Sequence, residues 1–206
     1  MATTPITLYT DYKSPYVFVA LAAIYALEDD FDVALDWLPY TLDIPSYLGS
    51  VEGRDAHQWR KVRYAYKDAR RYANLQGLTL KGPKQIYDTR AANTGLLFAK
   101  AHGVFRAYND DVFTRFWNHS IEIESLDDIV AALNAAGAPG ADFPAYLDGP
   151  GGAEHDRIRA AAEEAGVFGV PMFVLDGELY WGGDRIELLR ARLTERGLAQ
   201  RGLARS

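Results

Sequence analysis

The chain has 206 residues, of which 49% are hydrophobic and 13% aromatic, and a formal charge of −6 at neutral pH. That supplies one substantial domain, or a core domain with a large insertion; it excludes a disordered chain and argues against a nucleic-acid footprint. There is no cysteine, so disulfides, thiolate catalysis by the chain itself and cysteine-ligated metals are excluded.

Residues 1–5 show no basic region followed by an apolar stretch. No segment approaches the roughly 18 uninterrupted apolar residues of a membrane span. A cytoplasmic protein with no membrane partner is expected. Residues 6–11 alternate as a strand, and Ser14-Pro15 then reads as an N-cap followed by proline in the first helical turn. Val17, Ala20, Leu21, Ile24 and Leu27 recur at helical spacing, which predicts a helix over 15–28, and 32–38 alternates as a second strand. Helical patterns follow over 59–75, 91–102, 110–120 and 126–136, separated by glycine, proline and asparagine. Residues 138–141 and 149–152 read as turns, the second as a return hinge, and 153–165 as a further helix. Strands over 171–175 and 179–181 flank Asp176-Gly177, a strong hairpin signal. A helix over 184–196 closes the chain.

The order predicts an α/β protein with a thioredoxin-like fold carrying an inserted all-helical domain. Residues 1–40 and 153–206 form the thioredoxin-like part, and 41–152 the insertion.

Three stretches carry the chemistry. Pro171 opens an apolar run after the glycine-punctuated 166–170; lacking an N–H, it must begin a strand or mark a bulge. A thioredoxin-type sheet presents its cis-proline in this way, exposing a backbone edge to a peptide-like ligand. Ser14 should face that edge from a helix N-terminus, where unpaired N–H groups and the helix dipole favour negative charge. A thiolate brought to this hydroxyl would be stabilised, which is the logic of a glutathione site; taken alone, the residue reads first as an ordinary N-cap with no role, and it is Pro171 that reverses the balance. Tyr180-Trp181-Gly182-Gly183-Asp184-Arg185 enters the last helix. There Asp184 is either a plain cap or, with Gly183 and Arg185, a holder for an amino-acid-like end group.

Ser14-Pro15-Tyr16, the run 166–171 and the run 181–185 together resemble the 2-hydroxychromene-2-carboxylate isomerase and kappa-class glutathione transferase family, within the DsbA-like thioredoxin group. Phe116-Trp117-Asn118 with 121–137, and Lys61, Tyr64, Asp68 and Arg71, resemble the helical part of that family. The resemblance implies glutathione as cofactor, with Ser14 activating its sulfur. It implies that Val170, beside Pro171, pairs with the tripeptide backbone, that Gly183 and Asp184 hold the γ-glutamyl end, and that the assembly is a homodimer. The implied reaction is isomerisation or transfer on a small aromatic or unsaturated carboxylate: thiolate addition, bond rotation and loss of the thiol. Lys61 or Arg185 would take a substrate carboxylate, and Tyr16 would join Tyr9, Tyr12, Phe18 and Trp37 along an aromatic pocket or in the core.

The family has an asparagine near the sulfur after the second strand, whereas residues 38–50 contain none. Tyr40, Asp43 or Ser46 would fill its place. A cysteine-less binding protein without turnover, or an enzyme using another thiol or substrate, is the competing reading. The four histidines, His57, His102, His119 and His155, lack metal-ligand spacing and read as surface residues, so no metal is expected. Six basic residues between Arg60 and Arg71 read as a solvated helix face.

Overall fold

The computed structural model describes residues 3–199; the outer ends of the expected thioredoxin-like part, 1–2 and 200–206, lie outside the described residues. Strand β1 (Thr4–Thr10), helix α1 (Pro15–Asp30) and strand β2 (Val33–Pro39) form a parallel crossover. Helices α2 (Ile44–Leu48), α3 (Ala56–Leu75), α4 (Arg90–Ala101), α5 (Phe105–Asn118), α6 (Leu126–Ala136), α7 (Phe143–Asp148) and α8 (Pro150–Glu164) follow. Strands β3 (Met172–Leu175) and β4 (Glu178–Trp181) then lead into α9 (Ile186–Glu195). The sheet order is β2-β1-β3-β4, with β3 antiparallel to both neighbours. Of the described helices, none is long and apolar enough to cross a membrane.

Local chemistry accounts for the element ends. Ser14 holds extended backbone and its Oγ accepts the Val17 N–H, with Pro15 at the first helical position. The hairpin turn places Asp176 and Gly177 at φ 51° and 83°, the geometry that a two-residue turn between twisted strands requires. Helix α3 starts three residues before its first tryptophan because Asp55 and Gln58 form a reciprocal capping box. Helix α5 starts at Phe105, five residues earlier than its periodicity suggests, immediately after the turn at Gly103 that ends α4.

Two sequence expectations are corrected. The 149–152 stretch is no hinge: α8 begins at Pro150, and Gly151 and Gly152 lie inside it. A Cβ on either would collide with the Tyr146 ring or the Leu147 carbonyl, so these glycines allow α7 and α8 to approach. Asp184 does not cap the last helix. A 3-10 turn over Gly183–Arg185 precedes α9, and the Asp184 carboxylate lies 2.6 Å from Arg185 Nη1.

Alternation along the strands divides the interior between two faces. Ile6, Leu8, Phe173 and Leu175 point to one side, where Ala20, Ile24 and Leu27 of α1 and Ile186, Leu189 and Leu193 of α9 cover them. Tyr9 and Met172 point to the other and join Phe98, Tyr108, Phe113, Trp117 and Phe143 from the helices. Helix α1 contributes to both cores, so its N-terminus is held from two sides.

Candidate functional site

The turn between β1 and α1 faces the segment entering β3. Ser14, 3% exposed, donates from Oγ to the Val170 carbonyl at 3.3 Å while accepting from Val17 N at 3.3 Å. The Val170-Pro171 bond is cis. Pro171 gives its carbonyl to Gly182 N at 2.9 Å, which ties the proline to the end of β4. The Val170 N–H, by contrast, donates to no group among the described residues. An extended ligand laid along Val170 therefore meets a free donor, with the Ser14 hydroxyl and the first N–H groups of α1 beside it.

The other expected residues fall around this cleft at different distances from its centre. A Cβ at Gly183 would meet the Ala20 methyl at 3.0 Å and the Tyr16 carbonyl at 3.9 Å, so the 183–185 turn packs on α1 one to two turns beyond Ser14. Asp184 and Arg185 are exposed there as an ion pair. Tyr16 turns its phenol toward α3: burial first, then the nearby Asp68 charge, pushes its pKa up to about 12. Lys61 is exposed on α3 and makes no hydrogen bond or ion pair among the described residues. No hydrogen bond joins it to Ser14 among the described residues. Trp37 lies in the other core from Tyr9, Tyr12 and Phe18, so these rings do not line one pocket. Phe168 and Trp181 stand exposed beside the proline, rings 4.8 Å apart, over Gly169.

Of the three residues proposed for the absent asparagine, Asp43 and Ser46 are bound to each other as the N-cap of α2, Oγ to Oδ2 at 2.5 Å. Tyr40 is buried and donates its hydroxyl to the Val167 carbonyl at 3.3 Å. It therefore faces the proline segment.

Sequence reasoning missed a buried polar network directly under the turn. Asp11 is fully buried and accepts from Thr89 Oγ1 at 2.5 Å, Asn93 Nδ2 at 3.1 Å and Leu42 N at 2.8 Å. Asn93 Nδ2 also donates to Thr41 Oγ1, which lies 2.8 Å from His155 Nε2. His155 is 1% exposed, which corrects the surface reading. On its other side Nδ1 meets Arg90 Nη1 at 3.1 Å, and Arg90 holds Asp156. Asp156 Oδ1 lies 3.2 Å from the same nitrogen, so Nδ1 is flanked by a donor, Arg90, and an acceptor, Asp156. Burial depresses the imidazole pKa, Asp156 opposes that and Arg90 adds to it; Asp156 itself is held down to about 2 by Arg90. The available sequence signal was that His155, Ile158 and Ala162 share one helical face. A cavity of about 400 Å³ is lined by Asp88, Arg90, Ala91, Leu147 and Asp148, none of them a cleft residue.

Comparison with known proteins follows the same outline. The family model described as DSBA-like thioredoxin domain matches residues 5–194. A 2-hydroxychromene-2-carboxylate isomerase of Pseudomonas putida is 28% identical over 192 residues, covering 91% of this chain and 93% of the relative. Another, from Pseudomonas sp. (strain C18), is 29% identical over 190 residues, covering 89% and 87%. The solved structure of a 2-hydroxychromene-2-carboxylate isomerase superposes with a TM-score of 0.78 at 26% identity, covering 94% of this chain and 96% of that one.

Proposed function

Because this chain belongs to the DSBA-like thioredoxin domain family and carries Ser14 at the start of α1, facing the proline segment, in a protein with no cysteine, we propose that it is a glutathione-dependent isomerase. Its substrate is a small aromatic or unsaturated carboxylate of the 2-hydroxychromene-2-carboxylate type. The similarity to curated isomerases over nine-tenths of the chain supports isomerase-like catalysis. The observation that carries the thiol assignment is the Ser14 hydroxyl at the start of α1, directly opposite Val170.

The donor set fits a tripeptide thiol: an unpaired Val170 N–H, a hydroxyl and a helix N-terminus. Glutathione, when bound, supplies a thiolate that adds reversibly to an unsaturated carbon and frees rotation about the neighbouring bond. Ser14 turns its proton from the Val170 carbonyl to the sulfur. The first N–H groups of α1 add positive potential, which favours the ionised form. Val170 binds the peptide main chain as an added strand would. Gly183 and Asp184 hold the amino-acid end. Lys61 is an unpaired ammonium for a substrate carboxylate, whereas Arg185 must first leave Asp184.

Titration calorimetry with glutathione, together with isomerisation of 2-hydroxychromene-2-carboxylate with and without the thiol, tests this reading. Binding and thiol-dependent turnover are expected. Absence of binding at about millimolar ligand overturns the glutathione assignment and leaves a binding protein or another thiol. The same reading carries a homodimer, which sedimentation checks.

A further inference from the structure

We propose that Asp11 is the positioning residue of this site: its buried carboxylate sets the direction of the Ser14 hydroxyl by tying the turn that bears it to two distant parts of the chain. The proposal rests on the reading of Ser14 as the thiolate's donor. Asp11 holds the turn twice over. Its carbonyl accepts the Ser14 N–H at 3.0 Å, and its Oδ1 accepts the Lys13 N–H at 3.3 Å. The same carboxylate reaches outward to Leu42 N, after β2, and to Thr89 and Asn93, at the start of α4. Lys13 Nζ lies 3.6 Å from Oδ2, its side chain 8% exposed, and donates to the Tyr87 carbonyl at 3.2 Å.

The side chain accepts from Thr89, Asn93, Leu42 N and Lys13 N and stands beside the Lys13 ammonium, so each of these contacts meets a carboxylate oxygen with a donor. An asparagine of the same shape would turn its amide against one of those donors. Thr89 bears this out from the other side. It occupies the N-cap position of α4 without a cap hydrogen bond, and its hydroxyl donates to Asp11 at 2.5 Å. A buried anion near a thiolate is electrostatically unfavourable, and the adjacent Lys13 ammonium offsets it. Position, not charge, is therefore what Asp11 contributes.

Opposite signs separate these roles. Loss of alignment at Ser14 raises the pKa of bound glutathione, whereas loss of a nearby negative charge lowers it. The experiment follows ionisation of glutathione bound to the full-length protein, by ultraviolet absorbance of the thiolate against pH, in the natural protein and in Asp11→Asn, Thr89→Val and Thr89→Ser. The expected result is a midpoint raised by about one pH unit in Asp11→Asn and in the charge-neutral Thr89→Val, and restored in Thr89→Ser. A midpoint unchanged or lowered in Thr89→Val overturns the proposal. Should Asp11→Asn fail to fold by circular dichroism, the Thr89 pair decides alone. Absence of a thiolate band in the natural protein overturns the reading of Ser14 and this proposal with it; a band that the variants leave unmoved overturns only the proposal.

Discussion

Ser14 and Val170, 156 positions apart in the chain, are joined by a hydrogen bond from the Ser14 hydroxyl to the Val170 carbonyl at 3.3 Å. The same oxygen accepts the Val17 N–H, so Ser14 is at once a helix cap and a bridge to the proline segment. Both bonds are long for their kind, and the hydroxyl exchanges one acceptor for another at small cost. A hydroxyl placed in this way is free to turn its O–H toward a group brought into the cleft.

Ser14→Ala removes both roles. Losing the cap and the bridge costs about 1–2 kcal/mol, a fall of a few degrees in thermal midpoint for a domain of this size. Thiol-dependent turnover falls about 10²- to 10³-fold, as when an activating donor is deleted elsewhere. A folded variant with unchanged turnover would remove Ser14 from the mechanism.

Tyr12→Phe raises stability. The Tyr12 hydroxyl is buried and has no hydrogen-bond partner among the described residues, while its ring packs 4.7 Å from Phe113. Removing an unpaired buried hydroxyl and keeping the ring gains about 1 kcal/mol. Urea denaturation measures it; a lower midpoint would show that the hydroxyl has a partner.

Gly95→Ala destabilises by about 1–3 kcal/mol through overpacking. A Cβ at Gly95 would stand 2.8 Å from Tyr108 Cζ and closer still to its hydroxyl. Tyr108 cannot move aside, since it is fully buried and donates to the Ala92 carbonyl at 2.9 Å. Thermal unfolding of the variant checks this, and Tyr108→Phe combined with it should recover part of the loss.

His155 makes stability depend on pH in mild acid. Burial keeps its imidazole neutral in the folded protein below the ordinary value of about 6.5. In that range the unfolded chain binds the proton first, so acid favours unfolding. The contribution is complete above about pH 6.5 and is lost as the pH falls below it. Asp156, held at about 2 by Arg90, stays ionised throughout this window. Urea midpoints of the natural protein should decline there, and those of His155→Gln should be flatter; parallel curves would count against the buried neutral imidazole.

Short-range signals were the legible ones. Ser14-Pro15 reads as a helix start because cap and first turn lie within four residues, and Asp176-Gly177 reads as a hairpin because two positive φ angles suffice to define it. Helices α2 and α7 were not legible, since five or six residues carry too little periodicity. Gly151 and Gly152 misled for a related reason. A glycine that admits a neighbouring helix and one that turns the chain look alike until the neighbour is known.

The sequence by itself determined the chemistry available: no thiol, a serine at a helix start, a proline at a strand start, and the glycine run at 182–183. Those follow from residue type and local spacing. Only the tertiary structure decided which groups meet. Asp11 looked like the end of a strand and His155 like a surface residue, yet they belong to one buried network through Asn93 and Thr41. The physical reason is that a buried polar group must find its partner wherever the fold provides one. Here those partners lie 31 to 114 positions away in the chain, beyond the reach of any local pattern.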